Sequence, residues 1–344
     1  MTATLTEIAT KIGISSATVS RAINHPEMVS GETLERVQKV LADIDYTPTT
    51  KGKKRGPKGP KKKKSELKTI GIWFVSNWSA LGNSVQDHLV LGFQKAFEMR
   101  GYATQIVTTQ TRDEFPEKFL SGKLEGLVIQ GLPPTRELLD RLKDMPKVWM
   151  MTQRINDYPI DYVQPDNTMN GRLAASYLNG EGHTKLVAVV SDPDYPAFVR
   201  RKEAFLAEAE RRNCSVEVIE GPRKSSPALV DKKPSSKTVC ELAKAFGKLN
   251  DVPRGFYFPS DFTTSQILQA LPVLGLEMQP NSSIISGDYN AILYPQSGSL
   301  LACIDIHSDT IIDKTAEQLC WRIKNPDAKG QVAIRIVPTL VLPT

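Results

Sequence analysis

The side chains best suited to chemistry cluster near the start of this 344-residue chain. From Leu5 to Ile23 it reads "LTEIATKIGISSATVSRAI". The second half of that stretch puts Ser16, Ala17, Ser20 and Arg21 on one exposed face of a short helix. Small residues let such a helix sink into a DNA major groove. Hydroxyls and free N–H groups at its start can hold phosphate, and Arg21 can fork to guanine O6 and N7. The spacing alone also fits any small three-helix module. Further on, "KGKKRGPKGPKKKK" (51–64) carries nine basic residues and no acidic one. Gly52, Gly56, Pro57, Gly59 and Pro60 exclude a helix there.

Other chemistry is thin. His25, His88, His183 and His307 have no metal-ligand spacing, and Cys214, Cys240, Cys303 and Cys320 form no C-x-x-C pair. We expect no metal or other cofactor, and free thiols in a reducing, cytoplasmic setting. His183 follows Gly182 at a helix end, where a cap or dipole role suffices. Phosphate-loop, G-x-S-x-G and H-E-x-x-H motifs are missing, so an enzyme is not expected. No signal-peptide pattern and no run of 18 apolar residues occurs, which predicts a soluble protein. The net charge is +6, yet residues 1–50 carry four Lys/Arg and six Asp/Glu. The positive excess therefore sits in 51–64, and such a tract points to nucleic acid or an anionic surface. With no amphipathic helix or lipid motif beside it, a membrane is the poorer reading.

These residues need elements to hold them. Thr6, Ser15 and Ser30 are candidate N-caps for three short helices, with Gly13 as the first stop. Ile8, Ala9 and Ile12, then Val19, Ala22 and Ile23, then Leu34, Val37, Val40, Leu41 and Ile44 recur at helical spacing and predict a thin core. From "TIGIWFV" (69–75) onward, apolar strand-like runs alternate with amphipathic helices. That alternation predicts parallel sheets covered on both faces, and its length suggests two lobes. Residues 221–236 read as an exposed loop.

"TLTEIATKIGISSATVSRAIN" followed by "VSGETLERVQKVLADIDYTP" closely resembles the head of lactose repressor/galactose repressor (LacI-type) bacterial transcription factors. "KTIGIWFVSN" resembles that family's first core strand. "VQPDNTMNGRLAASYLNGEGHTKLVAVV", with Asp166-Asn167 and Gly182-His183, resembles its approach to the second lobe, and "RKEAFLAEAE" the helix that follows. The resemblance covers nearly the whole chain except 49–66 and about 221–236. It implies an all-α helix–turn–helix head on an α/β, two-lobed, periplasmic-binding-protein-like core that dimerises and senses a small molecule. The implied base-reading positions are Ser16, Ala17 and Arg21. The implied phosphate contacts fall near Leu5, Thr18, Ser20, Asn24 and Thr33. The family's hinge helix has no counterpart here. Instead Lys54, Arg55, Gly56, Pro57 and Lys58 partly match the AT-hook, an extended arm for narrow A·T minor grooves, but without its second Arg. A flexible charged tether is the alternative.

For the effector, the resemblance implies a cleft between the lobes. The family's sugar-binding Arg falls on Arg201. The Asn of its "ASND"-like segment falls on Ser260, with Asp261 next. The Asp of its "GFDD" falls on Tyr289, with Asp288 one place early. Asn77 and Trp78 follow the first strand, where loops meet ligand. Trp78 can stack on a sugar, and ordinary packing accounts for Trp78 and Tyr289 equally well.

The expected organisation is a head at 1–48, a basic linker at 49–66, and a core at 67–344. Lobe 1 is expected at about 67–160 plus 292–325, and lobe 2 at about 161–291 plus the C-terminal segment. The expected function is a sequence-specific operator-binding regulator, a repressor, controlled by a sugar or sugar derivative. No heptad segment follows "IVPTLVLPT", so a homodimer is expected rather than a tetramer. Two alternatives remain open: an architectural DNA-binding protein, and a sugar-metabolising α/β enzyme with a DNA-binding appendage.

Overall fold

The computed structural model describes residues 4–44, 68–75, 84–109, 111, 113–119, 123–131, 134–151, 160–223, 236–249, 254–289 and 301–342. The chain divides into two compact units, Met1–Ser65 and Glu66–Thr344. The candidate linker residues Lys54, Arg55, Gly56, Pro57 and Lys58 lie outside the described residues. So do Asn77, Trp78 and most of the expected loop, 224–235.

The first unit holds helices α1 (Leu5–Ile12), α2 (Ser16–Asn24) and α3 (Gly31–Asp43). Thr6 is not the first cap. Thr4 is, because only there does Glu7 stand at the third helical position. The Thr4 hydroxyl accepts from the Glu7 N–H at 3.3 Å, and Glu7 accepts from the Thr4 N–H at 2.8 Å. This reciprocal pair satisfies two donors that a single side chain could not. Gly13 stops the helix at φ 75°, a left-handed conformation costly for residues with a Cβ. Ser15 and Ser30 cap α2 and α3 through the N–H groups of Thr18 and Thr33. Ile8, Ala9, Ile12, Val19, Ala22 and Val37 form the core, with Leu5, Ile23, Leu34, Val40, Leu41 and Ile44 half-buried around it. Arg36 donates to the Ile12 carbonyl at 2.9 Å and so ties α3 to the end of α1.

The second unit contains two six-stranded sheets. The first uses β1 (Thr69–Val75), β2 (Ala103–Thr109), β3 (Leu124–Gly131), β4 (Lys147–Met150), β5 (Asp161–Pro165) and β11 (Ala333–Ile336). Their order is β11-β5-β4-β3-β1-β2, parallel throughout. The second uses β6 (Lys185–Val190), β7 (Ser215–Glu220), β8 (Gly255–Phe258), β9 (Ser283–Asp288), β10 (Leu301–Asp305) and β12 (Thr339–Val341). Its order is β12-β10-β9-β8-β6-β7, and only β12 runs antiparallel.

Alternate residues of β1 serve opposite faces. Ile70, Ile72 and Phe74 pack under α4 (Ser84–Glu98) and α10 (Ser308–Lys324), while Trp73 and Val75 pack on the side of α5 (Arg136–Arg141). In the second sheet α6 (Asn167–Gly180) and α7 (Pro196–Arg211) cover one face, and α8 (Ser236–Lys248) and α9 (Asp261–Val273) the other. Both faces are buried, as parallel pairing requires. The edge strands β2 and β7 expose Ile106 and Val218.

The expected lobe boundaries need correction. Residues 161–165 belong to the first sheet, with Trp149 paired to Tyr162, and not to the second lobe. Residues 301–305 pair with β9 in the second sheet, and not in the first lobe. The C-terminal segment is shared, since β11 joins the first sheet and β12 the second. Strand–helix periodicity locates strands but does not say which ladder a strand joins. The chain therefore passes between the sheets three times: from β5 to α6, from β10 to α10, and from β11 to β12.

A buried carboxylate ties these passages to the first lobe. Asp161 is 3% exposed and takes Arg322 Nε at 2.9 Å and Nη2 at 2.6 Å. It also accepts from Gln318 Nε2 at 2.8 Å and from the Val332 N–H at 2.9 Å, just ahead of β11. Arg322 reaches on to the carbonyls of Ala328 and Gly330. Removing one member of such a pair leaves a charge without its partner, so Asp161→Ala should lower stability by about 3–5 kcal/mol. Urea unfolding of the full chain measures this. A midpoint within error of wild type would show that water replaces the carboxylate at little cost.

Candidate functional site

On α2, the side chains of Ser16, Ala17 and Arg21 are exposed. Among the described residues no hydrogen bond or ion pair holds the Arg21 guanidinium. Other implied DNA contacts are already engaged within the head. The Thr18 hydroxyl lies 2.8 Å from Ser15 Oγ, Asn24 Nδ2 donates to the Ser20 carbonyl at 2.9 Å, and the Thr33 hydroxyl lies 2.8 Å from Ser30 Oγ. Ser20 is half-buried, and Leu5 packs against the head core. The face thus offers two small side chains, the first N–H groups of α2 and one free guanidinium, a set able to approach DNA closely.

In the second unit the carboxyl ends of both sheets meet the crossovers. β5 and β11 leave the first sheet there, β10 leaves the second, and Thr339 at the start of β12 pairs with Asp305 at the end of β10. Ligands of parallel α/β folds bind outside such carboxyl ends. Arg201, Ser260, Asp261, Asp288 and Tyr289 all fall at this edge of the second sheet, but their settings differ.

Arg201 is buried. Its Nε donates to Asn167 Oδ1 at 2.8 Å, and its Nη1 donates to the Pro259 carbonyl and to Asp288 Oδ1, the latter at 2.7 Å. Burial opposes the charge most strongly, but the Asp288 carboxylate together with Tyr257 and Tyr195 outweighs it and holds the guanidinium above its ordinary value. Gly287 makes room for this arrangement: a Cβ there would lie 2.6 Å from the Pro259 carbonyl oxygen and 2.9 Å from Arg201 Nη1. Asp288 and Tyr289 both have positive φ, 82° and 49°, and both are half-buried. Asp261 turns inward, where it accepts from Ser286 Oγ. Ser260 is buried at the start of α9 and its carbonyl accepts from Thr264. The edge thus brings Arg201 and Asp288 together, with Asn167 and Pro259, and turns Ser260 and Asp261 into the fold.

Several contributors escaped sequence reasoning. Asn167 and Pro259 hold Arg201, and only their spatial neighbourhood gives them that role. Tyr195 and Phe198 form an edge-to-face pair 4.9 Å apart at the start of α7. Their spacing of three, one turn before Arg201, was the available signal. The buried Tyr257 hydroxyl, its acidity suppressed by burial, donates to Asn170 Oδ1 at 2.7 Å.

Residues 4–49 match the family model described as "Bacterial regulatory proteins, lacI family". The head is a lacI-family helix–turn–helix domain. The chain is 25% identical over 221 residues to the ribose operon repressor of Escherichia coli (strain K12), covering 62% of this chain. The chain spans 63% of the length of that relative. It is 23% identical to the transcriptional repressor PurR of Vibrio atlanticus, over 96% of this chain and 95% of the relative. It is 28% identical to the sucrose operon repressor of Lactococcus lactis, over 69% and 71%. Among solved structures, a transcriptional regulator CelR–cellobiose complex matches with a TM-score of 0.65 at 18% identity, over 99% of this chain and 98% of that one. The lac repressor dimer bound to operator and the anti-inducer ONPF matches with a TM-score of 0.61 at 16% identity, with the same coverage. At that identity the likeness establishes the fold: a lacI-type head followed by a two-lobed α/β core. Among the described residues no helix is long and apolar enough to cross a membrane.

His183 closes the end of α6 through its backbone, donating its N–H to the Leu178 carbonyl at 3.1 Å behind Gly182 at φ 89°, while its side chain lies away from the carboxyl edge. Its Nε2 lies 2.8 Å from Ser283 Oγ at the start of β9, the opposite end of the strand from Asp288. Burial, partly opposed by Glu181, holds its pKa below the ordinary 6.5. A lowered histidine pKa favours the neutral ring in the folded state. Its stabilisation is complete above pH 6.5 and is lost as pH falls through the lowered value. The fall in thermal midpoint between pH 7 and pH 5 should therefore be smaller in His183→Gln than in wild type. An equal fall in both would remove His183 from the pH response.

Proposed function

We propose that this protein is a sequence-specific DNA-binding transcriptional regulator, a repressor, whose operator affinity is set by a small-molecule effector bound between the two lobes. It acts as a cytoplasmic homodimer and carries out no chemical step. The observation that carries this reading is the exposed Ser16–Ala17–Arg21 face on a lacI-family head. The names of the relatives support a repressor, and the cellobiose complex supports a sugar or sugar derivative as effector. A two-fold dimer calls for a near-palindromic operator with half-sites about 10 bp apart. Arg201, Asp288 and Tyr289, with Asn77 and Trp78, form the effector site, and Ser260 and Asp261 support it from beneath.

Charge assigns a part to the basic tract. Residues 1–50 hold four Lys/Arg and six Asp/Glu, so the head repels phosphate overall. The nine basic residues of 51–64 then supply most of the counterion release that binding needs. We read Lys54–Lys58 as an AT-hook-like arm in the minor groove beside the head.

Selection of bound sequences from random DNA, repeated with a sugar panel, tests the whole reading. Enrichment of no sequence would turn it toward an architectural protein, and turnover of a sugar toward an enzyme. Arg21→Ala should weaken operator binding by about 1–3 kcal/mol and relax preference at one base pair per half-site. An equal loss on operator and random DNA would make Arg21 a phosphate contact. Replacing the basic residues of 51–64 with Ser/Gln should reduce the slope of log affinity against log salt. If about four per subunit meet phosphate, the slope falls by about 3–4 units per subunit. A groove-bound arm also predicts a preference for A·T over G·C beside the half-sites that disappears in Arg55→Ala. A reduced slope without base preference would leave a charged tether.

A further inference from the structure

The geometry points to a second ligand site, in the groove between α6 and α7 on the outer face of the second lobe, for a small organic anion: an apolar body carrying a carboxylate or a phosphate. This goes beyond the effector reading and does not depend on it.

Helical spacing puts Met169, Arg172, Leu173 and Ser176 on one side of α6, facing Glu208 and Arg211 on α7. Together they line a groove of about 570 Å³. That volume falls among those of small-ligand sites. Glu208 stands two turns beyond Arg201 on α7, about 10 Å along the helix axis, so the groove is separate from the carboxyl edge of the sheet. Its walls are fixed in advance. A Cβ on Gly171 would lie 2.8 Å from the Phe205 backbone nitrogen, so α6 and α7 meet backbone to backbone there. Farther along, Arg212 Nη1 donates to Asn179 Oδ1 at 3.5 Å and ties the two helices again.

One buried carboxylate organises the charge. The Glu208 side chain is 7% exposed and that of Arg211 69%. Arg211 donates from Nε at 3.0 Å and from Nη2 at 2.6 Å to the two Glu208 oxygens, and Arg212 donates from Nε at 2.6 Å. Glu208 thus holds two guanidinium groups and neutralises one. Arg211 is oriented by this fork, and its Nη1 donors are unengaged among the described residues. Arg172, exposed on the opposite wall, has no hydrogen bond or ion pair among the described residues, and the Ser176 hydroxyl has no hydrogen bond among them. Of the other acidic residues on α7, Glu203 pairs with Arg200 at 3.6 Å, and Glu210 does not line the groove.

The groove therefore sets two outward cations, one of them held rigid, beside the half-buried Met169 and Leu173. An oxyanion placed between Arg172 and Arg211 relieves their mutual repulsion and accepts charge-assisted hydrogen bonds from guanidinium forks that match carboxylate and phosphate. The apolar part of the same molecule covers Met169 and Leu173, whose thioether and methyl groups suit an aromatic ring. Inorganic phosphate alone leaves that surface in water, and a neutral aromatic leaves the two cations uncompensated.

The test uses the full chain with methyl-labelled methionine and four probes. Benzoate and phenyl phosphate carry both features, inorganic phosphate only the charge, and phenol only the ring. Calorimetry gives affinity, and the Met169 methyl resonance, identified by its loss in Met169→Leu, gives the place. Benzoate or phenyl phosphate should bind at least 10-fold more tightly than inorganic phosphate and phenol, and should shift the Met169 methyl. Which of the two binds better decides between a carboxylate and a phosphate. Arg172→Gln should weaken the better probe at least 5-fold with the thermal midpoint unchanged, because that side chain holds nothing else in the fold. Arg211→Gln should weaken it as well. If that variant is destabilised through Glu208, Arg172→Gln decides. Inorganic phosphate binding as tightly as both organic anions would reduce the groove to a patch of loose charge and overturn the proposal. So would unchanged affinity in Arg172→Gln, binding that leaves the Met169 methyl unmoved, or failure of all four probes to bind.

Discussion

The core is built so that its first lobe cannot close until the chain has visited the second. Asp161 is the residue that enforces this. Its carboxylate lies at the start of β5, yet its partners Gln318 and Arg322 are on α10 and Val332 leads into β11. Burying a carboxylate without those partners would be costly. The return of the C-terminal segment is thus a condition for a stable first sheet, and not an appendage to it.

The consequence for function is geometric. Three passages between two sheets leave the carboxyl ends of both facing the same region, which is where a ligand can touch both lobes at once. A small molecule changes an equilibrium only by binding its states unequally, and a site shared by two bodies meets that condition whenever they can shift relative to each other. At that edge the buried Arg201 pairs with the half-buried Asp288.

The head follows a different logic. Its core is small, and its helix ends rely on side-chain caps at Thr4, Ser15 and Ser30 rather than on extensive burial. With more acidic than basic residues among 1–50, the head carries little net attraction for DNA, and among the described residues Arg21 is held by no hydrogen bond or ion pair. In the proposed function the work is divided: the basic segment that follows in sequence supplies affinity from charge that does not distinguish sequences, and α2 supplies selectivity.

Much of this was legible in the sequence because it is local. Ser15 and Ser30 announce helix starts by their chemistry, Gly13 a stop by its missing Cβ, and the apolar runs announce strands by their period. The error at Thr6 is of the same local kind, since the Glu that completes the cap stands three residues after Thr4. Residues quoted for a family resemblance located Arg201 and the carboxyl-edge aspartates. Tertiary structure alone decided which sheet received 161–165 and 301–305, because ladder pairing joins residues far apart in the chain and leaves no periodic trace. It alone decided that Ser260 and Asp261 turn inward. It alone placed Arg201 beneath Asp288, because burial of a charge depends on Asn167, Pro259 and Gly287, which only the folded chain brings to one point.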